Sequence, residues 1–390
     1  MFIISHILFK FNYHTKIKSV CLQQIIVYSK LRLIYVKKYV KIMIYVMKGI
    51  TLPNMNQTQI NKLDAIAPMI SKTPLLSIKY RYNGNERTVY AKAEYYNLTG
   101  SIKDRVAYHI LRNAYERGRI NESDIIAEAT SGNTGISFCA LGRLLGHKVI
   151  IYMPDWMTAE RINIMKSFGA DVIPVSREEG GFLGSIRKTE ELARSGGVFL
   201  PRQFSNEENT ESHYLTTGVE IVEQLSVLNK TADCVVAGVG TGGTIMGVGR
   251  RLKEANPNCL IYPLEPLNSP TLSTGYKIGM HRIYGISDEF IPPILKMNQV
   301  DHIVSVDDGD AIAMARMLSE KFGIGVGVSS GANFLGCVMA QERLGNDSTV
   351  VTVFSDDNKK YLSTDYAKPT TYLNGYVSKD VELISVTAYR

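Results

Sequence analysis

Short apolar runs alternate with longer stretches of helical periodicity from about residue 88 to residue 354, and this alternation constrains the fold more than any other feature of the chain. The runs are 89–95 (VYAKAEY), 125–129 (IIAEA), 148–153 (KVIIYM), 171–175 (DVIPV), 234–239 (CVVAGV), 259–265 (CLIYPLE), 324–328 (IGVGV) and 349–354 (TVVTVF). Helical patterns cover 104–117, 134–145, 158–168, 182–195, 213–227, 243–255, 310–322 and 331–343. The runs lack strict polar–apolar alternation, so both faces of each strand are expected to be covered, as in a parallel sheet sandwiched by helices. The predicted fold class is α/β, with two open, mostly parallel twisted sheets flanked by helices and a cleft between two lobes.

The charge balance narrows the partners. The chain of 390 residues carries a formal charge of +7, yet residues 1–63 hold ten Lys and Arg and no acid. Without that segment, 34 basic residues face 37 acidic ones, a net of −3, which gives the body no basic surface for nucleic acid. Residues 1–54 read as a basic, acid-free extension, either disordered or not native, with no apolar run long enough to span a membrane. Cys21, Cys139, Cys234, Cys259 and Cys337 are scattered without a C-x-x-C pair, so neither a disulfide framework nor a metal site is expected, and a reducing cytoplasm fits.

Four turns between a predicted strand and a predicted helix carry the chemistry. The stretch VVAGVGTGGTIMGVGR (235–250) contains a literal G-x-G-x-x-G at Gly238, Gly240 and Gly243, with Glu265 further on, the spelling of a dinucleotide site. The same physics, free backbone N–H groups at a helix start, serves any phosphate. A plain tight turn is the alternative. NLTGSIKDR (97–105) places Lys103 at a helix start, where Arg105 and the helix N–H groups favour a neutral, nucleophilic amine; a solvated surface lysine is the bland reading. TSGNTG (130–135) offers a concave donor surface for a carboxylate, or an ordinary N-cap at Thr130 or Ser131. GVSSGA (327–332) adds Ser329 and Ser330 at a fourth turn. Together they outline places for one phosphate, one carboxylate and one aldehyde-reactive amine.

NLTGSIKDR, TSGNTG, GTGGT and GVSSGA stand in the order found in cysteine synthase (O-acetylserine sulfhydrylase) and cystathionine β-synthase, and from about Ile70 to Thr364 the chain resembles that family of fold-type II pyridoxal phosphate enzymes. The resemblance implies pyridoxal 5′-phosphate as cofactor and Lys103 as its Schiff-base lysine and catalytic base. It implies Asn133 as the partner of the cofactor's 3′-oxygen, and Gly240, Thr241, Gly242, Gly243 and Thr244 as the phosphate cup. Ser329 would face the pyridine nitrogen. Thr130, Ser131, Gly132 and Thr134, with Gln203, would clamp the substrate carboxylate. It further implies a large phosphate-binding lobe from 55–94 and 206–370, a smaller mobile lobe from 95–205 and a C-terminal tail at 371–390.

The implied reaction is β-replacement on an activated serine, O-acetyl-L-serine plus sulfide giving L-cysteine and acetate, through an external aldimine and an aminoacrylate. Cystathionine synthesis or a diaminopropionate-type synthesis from serine or phosphoserine is the alternative. A homodimer and serine acetyltransferase are the implied protein partners; neither nucleic acid nor membrane is expected. A nicotinamide oxidoreductase using the literal glycine fingerprint is the reading from a different class. It leaves Lys103 and TSGNTG unexplained. Three departures from the family pattern stand out: Leu98 in place of proline, Ser287-Asp288-Glu289 in place of small residues, and SDDNKKYLS at 355–363 in place of P-S-x-G-E-R-Y-L-S. The last two lie near the expected active-site mouth.

Overall fold

The computed structural model describes residues 56–287, 289–370 and 372–390; the predicted extension at 1–54, Cys21 and Asp288 lie outside the described residues. Strands β1 (Leu75–Tyr82) and β2 (Asn85–Ala93) form a hairpin whose turn is Asn83-Gly84, both with positive φ. An Asn-Gly pair suits such a turn because its twist matches that of the strands it joins. Further on come β3 (Ile125–Ala129), β4 (Val149–Pro154), β5 (Asp171–Val175) and β6 (Val198–Phe199). The remaining strands are β7 (Cys234–Gly238), β8 (Leu260–Pro266), β9 (Val304–Val306), β10 (Val350–Phe354) and β11 (Glu382–Tyr389).

Two sheets result. A seven-stranded sheet has the order β11-β1-β2-β10-β7-β8-β9, parallel from β2 to β9 and antiparallel at β1 and β11. A four-stranded sheet, β5-β4-β3-β6, is parallel throughout. The helices are α1 (Gln57–Ile66), α2 (Lys103–Glu116), α3 (Asn133–Leu145), α4 (Ala159–Ser167), α5 (Gly181–Ala193), α6 (Glu208–Ser212) and α7 (Gly218–Val227). They continue with α8 (Gly243–Ala255), α9 (Thr271–Thr274), α10 (Asp308–Phe322) and α11 (Val328–Leu344).

The lack of alternation in the sequence has a direct cause. On β7, Cys234 and Val236 point into one core and Val235 and Ala237 into another; on β10, Val350 and Phe354 oppose Val351 and Val353. Each face of the large sheet is therefore covered, by α10 and α11 on one side and α7 and α8 on the other. A third core joins Ile126, Val149 and Ile151 of the small sheet to Ile110 and Leu111 of α2 and Phe138 and Leu141 of α3. No helix of the described residues is long and apolar enough to cross a membrane.

Strands β1, β6 and β9 and helix α1 add to the predicted elements, and three further differences have a physical reason. The tail read at 371–390 contains β11, which pairs with the free edge of β1 from Leu75↔Tyr389 to Arg81↔Glu382. Its burial is partial, as befits an edge strand, so its apolar signal is weak. The run 324–328 forms no strand. It makes one isolated bridge, Val326↔Asp357, and the chain then enters α11. Glycine fills two of its five positions, Gly325 and Gly327, and glycine weakens a strand. The helix read as continuous over 213–227 begins at Glu208 and carries a π-helical turn at His213–Thr217 before α7.

Phe334 of α11 is fully buried and meets the Tyr80 ring edge-on at 5.3 Å. Phe334→Ala is expected to lower the unfolding free energy by about 3–5 kcal/mol, read by denaturant titration. Val227→Ala, at a position 73% exposed, is expected to change it by less than about 0.5 kcal/mol.

Candidate active site

Lys103 is the first residue of α2, and the turn before it is tied down from several sides. Asp104, fully buried, accepts from Thr99 N (2.7 Å), Thr99 Oγ1 (2.6 Å) and Ser137 Oγ (2.6 Å), which locks the turn to α3. Burial raises the Asp104 pKa, while these three donors oppose the rise. Ile102 N donates to Ser355 O at 2.9 Å, and Lys360 Nζ donates to Gly100 O at 2.8 Å. The lysine is thereby held against the C-terminal end of β10.

Arg105, two residues on, belongs to a separate buried cluster. It is fully buried and bonded to Glu94 Oε2 (2.6 Å) and Glu220 Oε1 (2.7 Å), with Lys92 Nζ 2.7 Å from Glu220 Oε2. Its charge is consumed in that network, so it is a pillar under the lysine turn.

The TSGNTG turn follows β3 and opens α3. Gly132 is the N-cap residue, and no side chain caps the helix, so the N-cap reading of Thr130 or Ser131 does not hold. The side chains turn elsewhere. Thr130 Oγ1 accepts from Gly132 N at 3.0 Å, and Thr134 Oγ1 donates to Gln203 Oε1 at 2.6 Å. Gln203 Nε2 donates to Ala129 O at 2.8 Å, which brings residue 203 beside the turn some seventy positions earlier in the chain. Asn133 Nδ2 donates to Asp356 Oδ2 at 2.8 Å, while Asn133 Oδ1 is buried with no partner within the chain.

The glycine cluster follows β7 and opens α8. Gly242 is left-handed at φ 88°, and a side chain at Gly240 would strike the Gly285 carbonyl. Thr241 Oγ1 accepts from Asn209 Nδ2 at 2.9 Å, and Thr244 Oγ1 lies 3.2 Å from His213 Nε2. His213 is buried; burial first, then the positive charge of Lys103, push its pKa well down, so it stays neutral. The first-turn N–H groups of α8 lack intrahelical partners by geometry, which leaves backbone donors at this turn.

One cavity is lined by Lys103, the residues Thr130 to Thr134, Gln203, Gly240 to Gly242, Thr244 and Ser329. Of the residues that the resemblance assigns to the site, every one but Gly243 thus meets in one place. Gly243 belongs to the turn but not to the wall: it packs on Asn209. Glu265 is elsewhere, accepting from Leu272 N (2.7 Å) and Ser273 N (3.3 Å), which removes the ribose role that a dinucleotide reading requires. A wider vestibule of about 500 Å³ adjoins the cavity, bordered by Trp156, Met280, His281, Tyr284 and Glu289.

Sequence reasoning passed over Asn209, His213, Arg161 and Asp356. Asn209 and His213 sit in the ENTESHY stretch, whose polar residues form α6 and the start of the π-helical turn and carry no motif of their own. Arg161 lines the cavity fully buried, its guanidinium 5.1 Å from the Tyr284 ring and 4.8 Å from the Tyr361 ring. Asp356 was visible only as a departure from a pattern.

Comparison with known proteins places these features. Residues 66–356 match the family described as pyridoxal-phosphate dependent enzyme. A probable cysteine synthase of Bacillus subtilis is 41% identical over 300 residues, covering 77% of this chain and 96% of that protein. The crystal structure of a hydrogen sulfide-producing enzyme from Fusobacterium nucleatum is 56% identical with a TM-score of 0.82, covering 85% of this chain and 99% of that one. An O-ureido-L-serine synthase structure is 30% identical with a TM-score of 0.73, covering 80% of this chain and 96% of that one.

Glu128, at the end of β3, is fully buried and accepts from Ala129 N (2.9 Å) and Gln203 N (3.2 Å). Burial pushes its pKa up to about 7 against the pull of these donors. The folded value lies above the unfolded one, so the folded protein holds the extra proton between about pH 4.3 and 7. Stability from this group is full below that window and falls as pH rises through it. The stability difference between wild type and Glu128→Gln, measured by denaturant titration, is expected to decline by about 1–3 kcal/mol from pH 4.5 to 7.5 and then level off.

Proposed function

The chain belongs to the pyridoxal-phosphate-dependent enzymes, a cysteine synthase-like member, and from that premise we propose that it replaces the β-substituent of an activated L-serine, with O-acetyl-L-serine and sulfide giving L-cysteine and acetate. The observation that carries this reading is the single cavity in which one lysine amine faces a carboxylate cradle and a phosphate-sized glycine turn. The residues present fit pyridoxal phosphate. Helix N–H groups with two threonine hydroxyls suit its phosphate, Lys103 its aldehyde, and the buried Asn133 amide its ring hydroxyl. Bound there, the cofactor would supply an electron sink for charge developing at the substrate Cα.

The chain's own groups do the rest. Lys103 would hold the cofactor and, once exchanged for the substrate amine, remove the Cα proton as a general base. Thr130, Ser131, Gly132, Thr134 and Gln203 would fix the substrate carboxylate; their mutual hydrogen bonds already order the cradle, which lowers the entropy cost of binding. Thr241, Gly242 and Thr244 would hold the phosphate. Ser329, a neutral partner for the pyridine nitrogen, suits a reaction with a good β-leaving group. Movement of the 95–205 region over the cavity would exclude water. A homodimer, a serine acetyltransferase contact and a cytoplasmic location stand as proposals on family grounds.

A second reading has its own support. The 56% identical relative is a hydrogen sulfide-producing enzyme. On that ground L-cysteine would serve as the amino acid donor, with sulfide leaving from Cβ and water or the thiol of a second L-cysteine entering by the vestibule. Purified holoenzyme offered O-acetyl-L-serine with sulfide, or L-cysteine alone, separates the two by product: cysteine in the first case, free sulfide in the second. The proposal predicts a kcat/KM at least tenfold higher for O-acetyl-L-serine; a higher value for L-cysteine reverses the assignment, and turnover of neither overturns both. Lys103→Ala is expected to lower kcat by at least about a thousandfold in whichever reaction runs.

A further inference from the structure

The departure at SDDNKKYLS puts a carboxylate where the family pattern has a small hydroxyl residue, and the structure gives that carboxylate a place. Asp356 is completely buried. Its Oδ2 accepts from Asn133 Nδ2 (2.8 Å) and from the Tyr361 hydroxyl (2.7 Å), and its Oδ1 has no partner within the chain. Burial, reinforced by the charge of Asp356 itself, holds Tyr361 far above the usual phenol range, so its hydroxyl remains a donor.

An ionised carboxylate accepts hydrogen bonds and offers none. The Asn133 side chain must therefore turn its NH₂ toward Asp356, and the amide loses the freedom to flip. One N–H is spent on Asp356. The same nitrogen carries a second N–H, polarised through its bond to the Asp356 carboxylate. A neutral serine at 356 could satisfy either end of the amide and would not select this orientation.

The same residue joins two of the site's turns through the backbone around it, and a third, the TSGNTG turn, through its side chain. Asp356 bridges Ser101 in the lysine turn, its carbonyl accepts from Gly327 N (3.0 Å) before Ser329, and its neighbour Ser355 donates from N to Ser330 Oγ at 3.1 Å. A shift of the Asp356 side chain is thus felt at the lysine, the asparagine and the serine together.

We propose that Asp356 is a positioning residue that fixes the Asn133 amide with its N–H toward the cofactor's ring oxygen and so sets the cofactor's protonation and retention. The inference rests on the reading of Asn133 as a cofactor contact, and it concerns a group that does not itself touch substrate or cofactor.

The test uses holoenzyme and two readouts other than turnover: the pH midpoint of the bound cofactor's visible absorbance, and the dissociation constant of pyridoxal phosphate on reconstitution. Four variants are compared, Asp356→Asn, Asp356→Ser, Asn133→Ala and the double variant Asp356→Asn with Asn133→Ala. Asp356→Ser stands in if the Asn variant fails to fold by circular dichroism. Tyr361→Phe is the control, since it removes the other donor to Asp356 and leaves the Asn133 bond. The proposal expects Asp356→Asn or Asp356→Ser to move the midpoint by at least half a pH unit and to weaken cofactor binding about tenfold, as loss of a charge-assisted bond implies. In the Asn133→Ala background the further change is expected to be under twofold, and Tyr361→Phe is expected to leave the midpoint in place. An unchanged midpoint and dissociation constant in the Asp356 variants overturns the proposal, as does an equal effect with and without Asn133, which would mean a purely structural role. If Asn133→Ala itself leaves both readouts at wild-type values, the underlying reading of Asn133 fails instead.

Discussion

The bond from Ile102 N to Ser355 O fastens the lysine turn to the end of β10, and the arrangement of the site depends on it. Residues 103 and 355 come from distant parts of the chain, and the two sheets carry different halves of the cavity. The large sheet supplies the glycine turn after β7 and the Ser329 turn beside β10; the small sheet supplies the TSGNTG turn after β3. A parallel strand ends where its helix begins, so each turn exposes helix N–H groups at the same edge. Docking the lysine turn on β10 brings these edges face to face.

Around that contact the polar groups are partnered in layers. Asp104 holds the lysine turn to α3, Glu128 and Gln203 brace the TSGNTG turn, and Asn209 and His213 brace the glycine turn. Beneath them the Arg105, Glu94, Glu220 and Lys92 cluster carries charge in a place where removal of one member would strand another. Such bracing fixes the donors before a ligand arrives, so that binding energy need not be spent on ordering them.

Much of this was legible in the sequence because strand–turn–helix junctions leave local signatures. The double-sided burial of β7 and β10 appears as unbroken apolar runs, and Lys103, Asn133, Gly240 and Ser329 sit at motif positions whose spelling reflects backbone needs. The Asn83-Gly84 hairpin was equally readable and was passed over. What was not legible is long-range. Nothing local announces that β11 will close the edge of β1, because an edge strand needs few apolar residues. Gln203 could be assigned only by resemblance, and Asn209, His213 and Arg161 gain their roles from partners between 31 and more than 100 positions away. Asp356 was noticed only as a mismatch; its bond to Asn133 spans 223 positions. The G-x-G-x-x-G spelling misled in the opposite direction, since Gly243 faces Asn209 and Glu265 caps α9.

The central claim is that one cavity holds the cofactor through Lys103. Borohydride reduction of the holoenzyme, followed by proteolysis and mass spectrometry of the peptides, reads the attachment point directly. The account predicts loss of the visible absorbance and a single phosphopyridoxyl adduct on the peptide that carries Lys103. An adduct on any other lysine, or a protein that takes up pyridoxal phosphate without forming a reducible bond, would contradict it.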